Sequence, residues 1–147
     1  MSSIREFAKN ATLAVAHRLC KDASFIPDER MDWRPMEHGK SALQILSECT
    51  STNLRIADAI KGDAPRAVAE ITDLEDLRAH LIASASEVCD AIDSMRDSSD
   101  MLQLPWGATM SATEAIMLPA NHMQYHDGQI NYIQLLLGDT TFHWAED

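Results

Sequence analysis

The sequence predicts an all-α chain of four long helices, with a long ordered crossing between the first and the second. Three observations predict it. The 147 residues are 46% hydrophobic with only 5 Gly and 5 Pro, too few turn residues for a sandwich of many short strands and too apolar for disorder. Four S/T-x-x-E/Q pairs, Ser3 with Glu6, Ser41 with Gln44, Thr72 with Glu75 and Ser111 with Glu114, each open an apolar run of helical period. In such a pair the hydroxyl accepts from a backbone N–H three residues on, while the acid or amide reaches back to the cap. Residues 22–40 carry Pro27, Pro35 and Gly39, which forbid a continuous helix there.

The first helix, residues 4–20, places Ile4, Phe7, Ala8, Ala11, Val15 and Leu19 on one stripe. The crossing that follows is anchored by Phe25, Ile26 and Trp33 and lets helices one and two lie parallel. Helix two, residues 41–60, turns Ala42, Ile45, Leu46, Cys49, Ile56 and Ile60 inward, and Gly62, Asp63 and Pro65 end it. Helix three, residues 72–95, has the cleanest period, with Leu74, Leu77, Leu81, Ala85, Val88, Ile92 and Met95. Residues 98–110 read as an extended loop with a turn near Trp106 and Gly107. Helix four covers residues 111–137, and Gly138 and Asp139 stop it. Pro119 leaves the Ala115 carbonyl without its helical partner and bends the rod. The tail, residues 140–147, packs back on the bundle through Phe142 and Trp144. The length suits a single domain, residues 1–147.

Asp and Glu number 23 against 12 Lys and Arg, a formal charge of -11 that repels phosphate backbones and anionic lipid. Nucleic acid is therefore not an expected partner. No apolar run is long enough to span a membrane, and the start, MSSIREFAKN, lacks the apolar core of a signal peptide. A cytoplasmic protein is expected. Cys20, Cys49 and Cys89 form no CxxC pair and fall at apolar helical positions, so they read as reduced core thiols rather than nucleophiles.

The chemistry concentrates in NHMQYHDGQ, where His122 and His126 stand four residues apart in helix four. That spacing is just over one turn, so both imidazoles project from one face. The same face carries Ala115, Leu118, Ile133 and Leu136, in the middle of an apolar stripe. Two readings fit: a pair of hydrogen-bonded structural histidines, or part of a metal site. A metal needs at least one more ligand from another helix. Glu48 and Cys49 in helix two are candidates, as are His17, His38, His80 and His143. On the helical wheel Cys49 lies within the stripe of helix two and Glu48 about 60° outside it. Gln129, one turn beyond His126, can orient a ligand or hydrogen-bond a metal-bound oxygen and is the candidate catalytic residue; Tyr125 is a possible acid, and Asp127 is expected in solvent.

The run NHMQYHDGQINYIQLLLGD, an HxxxH followed by a Gly-Gln step and a closing Gly-Asp, resembles the last motif of the DinB-like (DinB/YfiT) superfamily. ERMDWRP followed by KSALQILSECTSTN resembles the same family's segment between helices one and two. The resemblance implies a four-helix bundle with a long crossover between helices one and two, and a divalent metal held near one end by three residues. In the commonest family pattern these are a histidine of the second helix and both histidines of the fourth. Matched residue by residue, His122 and His126 take the latter places and Glu48 stands where a histidine is usual. Two histidines and a glutamate suit zinc or nickel, and formally also non-haem iron. Three protein ligands leave a coordination position open, as in catalytic sites. The resemblance further implies a transferase or isomerase in which the metal activates a low-molecular-weight thiol; a hydrolase using metal-activated water is the neighbouring reading. Against these stand a metal-stabilised bundle without catalysis and a metal-free helical dimer. A homodimer is expected under each.

Overall fold

The computed structural model describes residues 3–69, 71–96 and 100–145. Its long helices are α1 (Ile4–Ala23), α2 (Ala42–Lys61), α3 (Leu74–Ser94) and α5 (Leu118–Leu136). A short hairpin of β1 (Met101–Gln103) and β2 (Thr109–Ser111) and a single turn, α4 (Ala112–Ala115), lie between α3 and α5. The start of the expected loop at Ser98 and the last two residues of the tail, Glu146 and Asp147, fall outside the described residues.

Capping chemistry sets the helix starts. Ser41 and Ser111 make full reciprocal boxes with Gln44 and Glu114. Ser3 accepts from the Glu6 N–H at 3.2 Å. The third box is displaced by one residue: Asp73, not Thr72, caps α3 by accepting from the Asp76 N–H at 3.0 Å. Asp is as good a cap as Thr, and it takes the position nearer the first helical turn.

The expected fourth helix is two helices. Pro119 sits in the first turn of α5, where no N–H donor is needed, so the chain breaks at Ile116 and Met117 and restarts instead of bending. Residues 98–110 also hold more order than expected. Leu102 pairs with Met110 and Gln103 with Thr109, and Gly107, at φ +89°, closes the turn by donating to the Leu104 carbonyl at 2.9 Å. Leu104 beneath the turn is buried against Ala59 and Ala115.

In the bundle α1 packs on α3 and α5, and α2 packs on the same two helices. The directions follow from the cross-contacts. Arg5 reaches Met95 and Cys89 reaches Lys9, so α1 and α3 are antiparallel. Arg18 meets Asp127 and Asp22 meets Gln134, so α1 and α5 are parallel. Leu77 and Leu81 share a cluster with Ile45 and Cys49, and Val88 and Ile92 share one with Ile56 and Ile60, so α2 and α3 are parallel. The expectation that helices one and two lie parallel is thus corrected: they stand antiparallel across the diagonal. The connection that joins parallel helices is residues 62–73, clasped by Arg66 to Asp58 and Glu87.

The stripes of α2 and α3 are buried as expected, Leu74 only partly. That of α1 is shifted, since Ile4 and Phe7 are exposed and the inward set is Ala8, Thr12, Val15, Ala16, Leu19, Asp22 and Ala23. The crossover is anchored by buried Ile26 and Met31, with Trp33 half-buried and the Met31 carbonyl accepting from the Leu43 N–H at 2.9 Å. The tail packs through a residue other than the two expected. His143 is buried, stacks on Phe25 with centroids 3.6 Å apart, and bonds Asp139 at 2.7 Å. Phe142 and Trp144 are largely exposed, though Trp144 covers the Arg18 guanidinium at 5.1 Å. No helix is long and apolar enough to cross a membrane among the described residues.

Candidate metal centre

Glu48 lies in the second turn of α2 and His122 and His126 in the first half of α5, and packing of α2 on α5 brings them together. The two Nε2 atoms are 3.2 Å apart. Glu48 Oε1 stands 3.7 Å from His126 Nε2 and 3.8 Å from His122 Nε2. Cys49 Sγ approaches from the core side, forming with both imidazoles a group whose ligand atoms lie within 4.8 Å of one another. Both candidates in helix two therefore converge on the histidine pair. The other histidines do not: His17 and His80 are exposed, His38 is on the cleft rim, and His143 is bound to the tail.

The donor set fits a divalent ion. Two nitrogens each about 2.0–2.1 Å from one tetrahedral ion stand about 3.3 Å apart, close to the spacing of this pair. Tautomer assignment points the same way. Gln129 Oε1 accepts from His126 Nδ1 at 2.6 Å, while its amide nitrogen donates to the Tyr125 hydroxyl at 3.4 Å. With the proton on Nδ1, the Nε2 lone pair of His126 faces Glu48 and His122, the arrangement a metal-binding imidazole needs. Without an ion, His122 Nε2–H can donate to that lone pair. His122 Nδ1 is buried with no hydrogen-bond partner.

Glu48 has a second contact on its outer side, where Lys40, from the end of the crossover, bonds its Oε2. Partial burial alone would raise the Glu48 pKa, but the Lys40 ammonium and the imidazoles outweigh it and hold the carboxyl below its usual range. Burial, reinforced by His126, lowers His122 below the ordinary imidazole value and keeps it a neutral donor. Burial pushes the Cys49 thiol far up, so the group is a thiol unless a metal displaces its proton. Cys20 is also raised, to about 11, by burial, and the three cysteines are free.

The histidine pair opens onto a cleft of about 820 Å³ between α5 and the crossover. Pro35, Met36, His38 and Lys40 of the crossover form its rim, and no residue of the hairpin lines it.

Asp127 does not face solvent as expected. It is 2% exposed, takes the Arg18 guanidinium at 2.9 Å, and lies beside Asp22; burial and the Asp22 carboxyl lift it to about 6. The physical reason is that α5 is covered on two sides, by α2 and by α1, so the face opposite the histidines is interior too. Sequence reasoning missed this cluster and Lys40 alike. Neither partner is set by local spacing, since Glu48 lies eight residues from Lys40 and Arg18 lies 109 residues from Asp127.

Similarity to known proteins follows the same lines. A variant of the mycothiol-dependent maleylpyruvate isomerase superposes with a TM-score of 0.70 at 11% identity, over 88% of this chain and 63% of that one. The chain thus spans less than two thirds of that protein's length. A structure described as a proposed DinB-family member from Exiguobacterium sibiricum superposes with a TM-score of 0.70 at 22% identity, over 97% of each chain. Both likenesses are of fold. Comparison with curated proteins gives no match. The model of the DinB family matches residues 10–144, and with nearly the whole bundle and both histidines inside that match, the chain belongs to the DinB family.

Proposed function

We propose that the protein is a divalent-metal-dependent enzyme in which Glu48, His122 and His126 hold the ion, and that its reaction uses a low-molecular-weight thiol as nucleophile. The observation that carries this is the Glu48–His122–His126 triangle, with edges of 3.2, 3.7 and 3.8 Å, opening onto the cleft. Two imidazoles and a carboxylate suit zinc or nickel. Membership of the DinB family and the mycothiol dependence in the name of one structural neighbour support a thiol rather than water as the activated group. The bound ion supplies a Lewis acid that lowers the pKa of a thiol or water towards neutrality.

The remaining work falls to the chain. Gln129 is a positioning residue, since its oxygen is engaged by His126 and so holds that ring in the ligating tautomer. Tyr125 braces Gln129, and Lys40 fixes the Glu48 carboxylate with Oε1 turned to the histidines. We further propose a cytoplasmic protein of one domain, residues 1–147, acting as a homodimer; three free cysteines favour a reducing compartment, and the -11 charge disfavours nucleic acid as a partner.

A second reading rests on Cys49. With its thiolate replacing Glu48, the ion would fasten α2 to α5 as a structural site with no catalytic role. Elemental analysis of tag-free protein separates these possibilities. Glu48→Ala and His126→Ala should lose metal while Cys49→Ser keeps it; the reverse result for the α2 pair would favour the structural reading. Equal, negligible metal in all samples would leave the histidines as a hydrogen-bonded pair in a metal-free bundle. The thiol reaction is tested on cobalt-substituted protein, whose absorption should change when a low-molecular-weight thiol is added. No response to any thiol screened would remove the transferase reading.

A further inference from the structure

Gly128 stands in the middle of α5, one residue before Gln129, with helical neighbours on both sides. Glycine is among the poorest residues for a helix interior, so the position needs a reason. Crowding is not it: a Cβ built there meets nothing within 4 Å. The space above Gly128 is the cleft itself. Tyr125 and Tyr132 flank it, seven residues apart and therefore on one face, about 10 Å apart along the axis. Both are well exposed, at 66% and 59%, and both line the cleft. A planar group laid over Gly128 would sit about 5 Å from each ring, inside the 4.5–7 Å range of aromatic pairs.

Charge narrows the class of ligand. No arginine lines the cleft, and its one lysine, Lys40, is engaged by Glu48. The sole acid of α5 is Asp127, buried on the far side. Apart from the proposed ion, the cleft has no uncommitted guanidinium or ammonium, so in a chain of charge -11 nothing around Gly128 pairs with a carboxylate or phosphate. Met36, Ile133 and Leu136 complete an apolar wall. The volume, about 820 Å³, lies within the usual range for small-molecule sites.

We propose that Tyr125, Gly128 and Tyr132 form a slot for a flat, uncharged aromatic group on the substrate, with Gly128 as its floor. This rests on the cleft being the reaction site, and deepens that reading by naming what it admits. Binding of the uncharged fluorescent probe N-phenyl-1-naphthylamine to cobalt-loaded protein tests it. Gly128→Ala should weaken the probe about fivefold and Gly128→Leu at least about tenfold, as added bulk fills the slot. Neither substitution should lower the melting temperature or alter the cobalt spectrum, because Ala and Leu are better helix formers and the site lies to one side. Tyr132→Ala should weaken the probe without a change in bulk at residue 128. 2-Naphthamide should displace the probe at about a tenth of the concentration needed for 2-naphthoate, with the cobalt spectrum unchanged by either and so excluding ligation of the ion by the carboxylate.

Probe affinity within twofold across the glycine series overturns the proposal, as does equal displacement by the carboxylate with the cobalt spectrum unchanged. So does a wild-type dimer in sedimentation that Gly128→Leu splits with probe affinity unchanged, which would assign the face to a second copy of the chain. A probe bound and displaced as described, in a protein whose cobalt spectrum answers to no thiol, would retain the slot and remove the thiol reaction.

Discussion

Replacing Gln129 with leucine removes the acceptor that holds His126 Nδ1 at 2.6 Å and leaves the backbone of α5 untouched. Leucine is a good helix former of similar length, and Gln129 is only half-buried, so the bundle should keep its melting temperature. The metal site should not keep its affinity. The bond does two things at once: it fixes the ring plane, and it commits the proton to Nδ1 so that Nε2 is a lone pair. Losing an outer partner of this kind lowers metal affinity about 10–100-fold, equivalent to about 1.4–2.7 kcal/mol. Tyr125→Phe should cost much less, about twofold to fivefold, because it removes one long contact of 3.4 Å at one further remove. Competition between the protein and a chromophoric zinc chelator at pH 7 measures both. Zinc affinity within twofold of wild type for Gln129→Leu would refute the assignment of Gln129 as the residue that orients His126.

Two further predictions concern the frame. Arg66→Ala strips the partner from Asp58, whose side chain is 5% exposed, and should destabilise the fold by about 1–3 kcal/mol, nearer the lower figure because the guanidinium is 37% exposed. The Arg66 bonds hold the Asp58 pKa below the ordinary carboxylate range. That contribution is therefore present above about pH 4, and is lost as pH falls through the folded-state pKa. Urea denaturation should show the wild type losing stability on acidification below that point and Arg66→Ala losing less; parallel profiles would count against the clasp. Leu81→Ala, at a fully buried position between α3 and its neighbours, should cost about 2–5 kcal/mol in the same assay, and a loss under 1 kcal/mol would mean that the core there is looser than described.

The sequence made some elements far more readable than others, for physical reasons. In α2 and α3 the apolar inward residues recur at helical period, so Ile45, Cys49, Leu81 and Val88 could be placed from spacing alone, although Thr50, Asn53, Asp58 and Ser84 are buried among them. In α1 the inward set includes Thr12 and Asp22, which no hydrophobic stripe selects, and the apolar Ile4 and Phe7 remain outside. Asp127 failed for a related cause. A wheel supposes one buried face, whereas α5 has two, and the Arg18 that accompanies Asp127 is 109 residues away in the chain. The histidine pair was readable because both members share one helix. Its third donor was not, since Glu48 and Cys49 are adjacent and both reach the pair from α2. The direction of the crossing was misread because chain length permits either orientation; the neighbours of each helix decide it.

The crossover ends in Lys40, and Lys40 holds Glu48. The candidate donors belong to two packed helices, while the rim that controls admission belongs to a loop, so most changes between Pro35 and Gly39 can reshape the entrance without disturbing the donors. Lys40 is where that independence ends. A ligand that drew the loop away from α2 would also release the Oε2 of Glu48 from its ammonium partner. Entry through this rim and the setting of the Glu48 carboxylate are thus coupled by a single ammonium group.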